Sequence, residues 1–140
     1  MKLNRIERYV YLIIPNFILR RILTLFSKFN FFEETRNTQT AITFDLWYNQ
    51  KVKGHCLNAY WPVHQTSMVL GWNNIYCGIE TSPGLSPGNY ISAFKGKMFI
   101  GDYTQIGPNV SIHTVNHSLT DNRLFVAKNV NIGKYCWLGN

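Results

Sequence analysis

His113 and His117 stand four residues apart in the stretch IHTVNHS. Imidazole is the side chain best suited to take up and return a proton near neutral pH, so either histidine is a candidate base. The same pair could also supply two ligands to a metal. Zinc needs three or four donors in a tetrahedral array. A third donor would have to come from a neighbouring turn or subunit, with Cys77 or His64 no more than guesses, so no metal is expected. Cys56, Cys77 and Cys136 are odd in number and form no CxxC pair, which points to reduced thiols in a cytoplasmic protein and not to a disulfide framework. His55 and His64 lie outside any motif and read as structural.

The stretch that must position the two histidines runs MFIGDYTQIGPNVSIHTVNH, from Met98 to His117. Ile100, Ile106 and Ile112 recur every sixth residue, glycines follow the first two, and Thr104 and Val110 come four residues after each. A helical face wants spacings of three and four, and a half-buried strand wants two. A branched apolar residue every six predicts a coiled chain that turns a corner after each short strand. The isoleucines share a core, the glycines sit where a side chain would be crowded, and the residue four along is small. Cys136 holds that small-residue position after Ile132 and reads as packed. Val63, Val69 and Ile75 keep the same step, as do Ile79, Leu85 and Ile91. A second marker, IYCG, MFIG and VNIG, recurs at intervals of 23 and 32 residues. With a turn of about 18 residues, these intervals hold insertions of about 5 and 14. The larger insertion is an excursion from His113 to Asn129, and loops held out from rigid scaffolds often carry function. TSPGLSPGN is a turn-rich corner.

IGDYTQ and IGPNVS resemble the hexapeptide repeat of the left-handed parallel β-helix acyltransferases, and the likeness covers roughly residues 60 to 140. It implies a mainly β chain: an incomplete left-handed parallel β-helix with an N-terminal α-helical segment and three rungs to a turn. The hand is carried by the resemblance alone, since the usual crossover is right-handed. The resemblance makes His117, in VNHSLTDNR, the general base that takes the proton from an acceptor hydroxyl or amine as it attacks acetyl-CoA. His113 and Asn116 would line the acceptor site with Asn89 and Tyr90. Gly88 stands where some relatives present an asparagine. Trp137 and Gly139, in a rung that reads Trp137-Leu138-Gly139, would border the acetyl-CoA groove. A saccharide acceptor, a role in surface-polysaccharide assembly and a homotrimer are implied too. The family's longer members carry further coils after this rung, so the chain is expected to lack its C-terminal coils. A non-catalytic β-helix module that associates with a full-length partner or a membrane surface is the alternative.

The net charge of +7 would ordinarily raise nucleic acid or an anionic membrane as partners. The basic residues are spread out, so no nucleic acid is expected, and coenzyme A would itself be drawn to a positive field. Residues 1–36 read as a helical arm, 37–60 as a connecting segment and 61–140 as the coil. The apolar run from Tyr9 to Leu19 is broken by Pro15 and Asn16 and falls short of the ~20 residues needed to span a bilayer. Two short helices are expected to meet near Pro15. The second would place Ile18, Ile22, Leu25 and Phe26 on one face, with Arg21 and Lys28 off it. Such a segment would serve as an arm packed on the coil or on a neighbouring subunit, or as a peripheral contact, through residues 1–30, with the inner face of the membrane.

Overall fold

The computed structural model describes Ile18, Arg21, Ile22, Leu25, Phe26 and residues 29–140. The helix junction near Pro15, and most of the proposed membrane contact, lie outside the described residues. Ile18, Arg21 and Ile22 are helical, and Ile18, Ile22, Leu25 and Phe26 are all exposed. No helix among the described residues is long and apolar enough to cross a membrane.

Helical structure continues beyond residue 36. Helix α1 is Phe31–Glu34, and α2 is Phe44–Trp47, running into a wide turn over Tyr48–Val52. Thr43 caps α2 by accepting the Leu46 N–H on its hydroxyl at 3.3 Å. Four-residue helices do not hold by themselves. Here they are held by aromatic packing: Trp47 meets Phe29 edge-on with ring centres 5.4 Å apart, and Phe32 is fully buried against both. From the following turn the Gln50 side chain enters the start of the coil. Its Nε2 donates to the carbonyls of Ala59 at 3.2 Å and Trp61 at 2.9 Å, and its Oε1 accepts the Val63 N–H at 3.2 Å. Gln50 thus supplies partners to backbone groups that no strand pairs.

Residues 68–138 form a mainly β coil of ten short strands, eight of them paired in parallel. They are β1 (Met68–Leu70), β2 (Ile75–Cys77), β3 (Tyr90–Ser92), β4 (Met98–Ile100), β5 (Gln105–Ile106), β6 (Ser111–His113), β7 (Val115–His117), β8 (Phe125–Ala127), β9 (Val130–Ile132) and β10 (Trp137–Leu138). The parallel stacks run β1-β3-β6, β2-β4-β9 and β5-β10, and from β3 onward the chain visits them in rotation. The six-residue step is the step from one stack to the next. Ile100, Ile106 and Ile112 point inward from β4, β5 and β6 in succession, and the first two are buried. Ile75 pairs with Met98 and Met98 with Val130, so the recurring apolar-glycine marker keeps true register through both insertions.

The glycines and small residues behave as their spacing predicts. A Cβ on Gly101 would lie 2.7 Å from the carbonyl carbon of Gly133 in the next turn, too close for any side chain. Thr81, Thr104 and Cys136 stack at one corner. Thr104 Oγ1 donates to the Gly133 carbonyl at 2.7 Å and accepts the Cys136 N–H at 3.2 Å, while Thr81 Oγ1 accepts the Thr104 N–H at 3.1 Å. Hydroxyls therefore staple successive turns. Two positions depart from the expected phase: Leu85 is half-buried and outside the core, with Pro83 fully buried in its stead, and Ile79 is 62% exposed. Its N–H is taken by the Asp102 carboxylate at 2.9 Å, and Glu80 beside it adopts a left-handed conformation with φ 47°. That corner turns Ile79 outward and leaves the inward places to Cys77 and Thr81.

The three cysteines are free. Burial pushes the Cys77 thiol up to about 12. His55 Nε2 donates to the Ser67 carbonyl at 2.7 Å, and His64 braces its own turn through Thr66, so both imidazoles hold local backbone.

Candidate functional site

The excursion after β6 is an antiparallel hairpin, β7 paired with β8, with Val115 opposite Ala127, Asn116 opposite Val126 and His117 opposite Phe125. Its base is tied to the coil where Lys128 N–H donates to the Thr114 carbonyl at 2.8 Å and Val130 N–H to Lys97 at 2.9 Å. A Cβ on Gly96 would lie 2.4 Å from the Lys128 carbonyl oxygen, so the corner carrying Phe94 and Lys95 sits hard against this base. At the hairpin tip Ser118 N–H donates to the Leu124 carbonyl, and Arg123 clasps Asp121. The Arg123 guanidinium holds the Asp121 carboxyl below its ordinary range.

Side chains alternate along β7, so His117 faces the same side as its cross-strand neighbour Phe125 while Asn116 faces the other. The His117 and Phe125 rings are 4.7 Å apart. His117 Nδ1 lies 2.6 Å from the Asn122 carbonyl oxygen. A carbonyl can only accept, so Nδ1 carries the hydrogen and Nε2 keeps its lone pair. Among the described residues Nε2 has no hydrogen-bond partner. The His117 N–H donates to Asn116 Oδ1 at 2.9 Å, which leaves the Asn116 amide group for other partners. His113, at the end of β6, meets the Tyr90 ring at 4.9 Å.

Two cavities meet at these residues. One, of about 820 Å³, continues past His117 along Ser118, Val126, Lys128 and Val130. The other, of about 520 Å³, lies between the hairpin and the outer face of β1 and β3, along Leu70, Tyr90, Phe94 and Phe125. His113, Val115, Asn116 and His117 border both. An imidazole with a free Nε2 between two spaces can move a proton between two bound molecules.

The structure therefore brings together His117, Asn116, His113 and Tyr90. It does not bring Asn89, Trp137 or Gly139 to them. Asn89 is 2% exposed and faces inward at the corner before β3, where its amide donates to the carbonyls of Gly107 at 2.7 Å and Val110 at 3.3 Å. It holds two turns together and cannot meet a substrate. Trp137 and Gly139 belong to β10 and its exit, on the third stack, and Trp137 borders a separate cleft of about 80 Å³ with Gln39 and Gln105. Leu70, Phe94, Lys95, Phe125 and Lys128 border the cavities without any signal in the sequence, because what gathers them is the stacking of turns. No group of three or more histidine, cysteine or carboxylate side chains is gathered to hold a metal among the described residues. Comparison with protein-family models, with curated proteins and with solved structures finds no match to this chain.

Proposed function

We propose that this chain is an acetyltransferase that moves acetyl from acetyl-CoA to a saccharide hydroxyl, in the assembly of a surface polysaccharide. The observation that carries the reading is the His117 imidazole, held in one tautomer with Nε2 free, between two cavities. A group transfer needs two substrates to meet at one base. The coil is read as a left-handed β-helix of the hexapeptide-repeat kind, a reading supported by the residue steps of six and by the three parallel stacks, visited in rotation from β3 onward. A homotrimer, as in the family resembled, and peripheral contact with the inner face of a membrane go with it.

Acetyl-CoA supplies the activated thioester. His117 Nε2 accepts the proton of the acceptor hydroxyl as its oxygen bonds to the acyl carbon, and returns it to the sulfur as the carbon–sulfur bond breaks. The Asn122 carbonyl stabilises the imidazolium formed in between, because it already accepts from Nδ1. The larger cavity, with Lys128 on its wall, suits the negatively charged donor, and the aromatic one suits the sugar.

The experiment is release of free coenzyme A thiol from acetyl-CoA by the purified chain across a saccharide panel, with mass spectrometry of the product. Transfer that is lost in His117→Ala supports the reading. A folded protein that transfers nothing to any saccharide would sink it in favour of a non-catalytic module.

A further inference from the structure

Resting on the acetyltransferase reading, we propose that the groove between the β7–β8 hairpin and β3 is the acceptor subsite and that it selects a pyranose carrying an anionic substituent. The Tyr90 ring is set against His113 at 4.9 Å and the Phe125 ring against His117 at 4.7 Å, so each imidazole has an aromatic neighbour on the groove wall. Phe94, 70% exposed, adds a third ring with nothing covering it. A pyranose has an apolar C–H face and a rim of hydroxyls. It can lay that face on exposed rings while Ser92, His113 and Asn116, at the same groove, take its hydroxyls.

The charge of the groove selects further. Lys95 Nζ sits 5.7 Å from the centre of the Phe125 ring, which places this exposed ammonium at the rim of the groove. Gly96, next to it, lies directly under the Lys128 carbonyl, so the corner that carries Lys95 packs against the base of the hairpin. No carboxylate lies among the residues lining this groove, and the nearest acid on the hairpin, Asp121, is held by Arg123. A carboxylate or phosphate on the sugar therefore meets one cation at the rim and no competing anion among the lining residues.

Titration of ¹⁵N-labelled protein at low salt with methyl β-glucuronide, glucose 6-phosphate and methyl β-glucoside tests this. At least one of the two anionic sugars should bind about fivefold more tightly than the neutral one, as for an exposed charge pair, with shifts at Tyr90, His113 and Phe125. The tighter of the two names the anion. The preference should vanish in Lys95→Gln and persist in Lys134→Gln, a lysine on another corner. Phe125→Leu should weaken all three sugars. Equal binding of all three, or a preference that survives Lys95→Gln, overturns the proposal. Anion-selective binding without thiol release would leave this subsite standing and remove the transferase reading; thiol release equal with neutral and acidic acceptors would do the reverse.

Discussion

His117 stands out less for being a histidine than for the 2.6 Å contact of its Nδ1 with the Asn122 carbonyl. That contact fixes which nitrogen can act as base. His117→Ala should lower thiol release by about 10²–10⁴-fold, the range of general-base contributions, while thermal unfolding followed by circular dichroism stays close to that of the parent because the side chain is exposed. Cys77 gives an opposite case, a reactive group made inert. With its thiol pushed up to about 12 by burial, it should label with iodoacetamide at pH 8 about a thousandfold more slowly in the native protein than after unfolding; peptide mapping by mass spectrometry reads this directly. The place of His117, at the mouth of the longest excursion, was legible because a recognisable repeat precedes it. That of Asn89 was misread, since an asparagine next to a glycine turn looks exposed in a sequence, and only the stacked turn above it supplies the Gly107 and Val110 carbonyls that bury it.

Among the elements, the coil is the part that spacing describes best. Ile100, Ile106 and Ile112 each mark a new stack, so their step of six survives into the structure unchanged. Spacing fails at Ile79, where the left-handed corner at Glu80 shifts the phase, and at Gln50, whose partners are backbone groups that a sequence does not display. Phe94 and Lys95 were illegible because their neighbour Phe125 lies one turn and a hairpin further along. The close stacking of turns gives a paired test. Gly101→Ala would push a methyl against the Gly133 backbone and should cost about 1–3 kcal/mol in denaturant unfolding, as overpacking does. Gly133→Ala meets only Cys136 Sγ, at 3.6 Å, and should be nearly neutral. Thr104→Val should cost about 1–3 kcal/mol by stranding the Cys136 N–H and the Gly133 carbonyl, both of which Thr104 serves.

For the whole molecule, adjacent turns are also joined on the outside. Asp102 accepts from Lys134 at 2.6 Å and from the Ile79 N–H at 2.9 Å, linking three turns at one corner. Lys134 first, and then the Ile79 N–H, hold its carboxyl below 3.8. A carboxylate whose pKa falls on folding contributes fully above its unfolded value, and that contribution is lost as pH drops through the lower folded value. Melting temperature measured from about pH 5 to about pH 2 should therefore fall less steeply in Asp102→Asn than in the parent. The stack registers bear on time as well as on stability. Every parallel ladder joins residues 21 to 32 positions apart, and only the β7–β8 pairing is local. Closing loops of that size before any ladder rewards them places refolding in the millisecond-to-second range, whereas an isolated hairpin closes in ~1–10 μs. The segment bearing His117 can thus pair with itself long before there is a coil for it to stand on, and the site's geometry is set only when the slow winding brings Gly96 beneath Lys128.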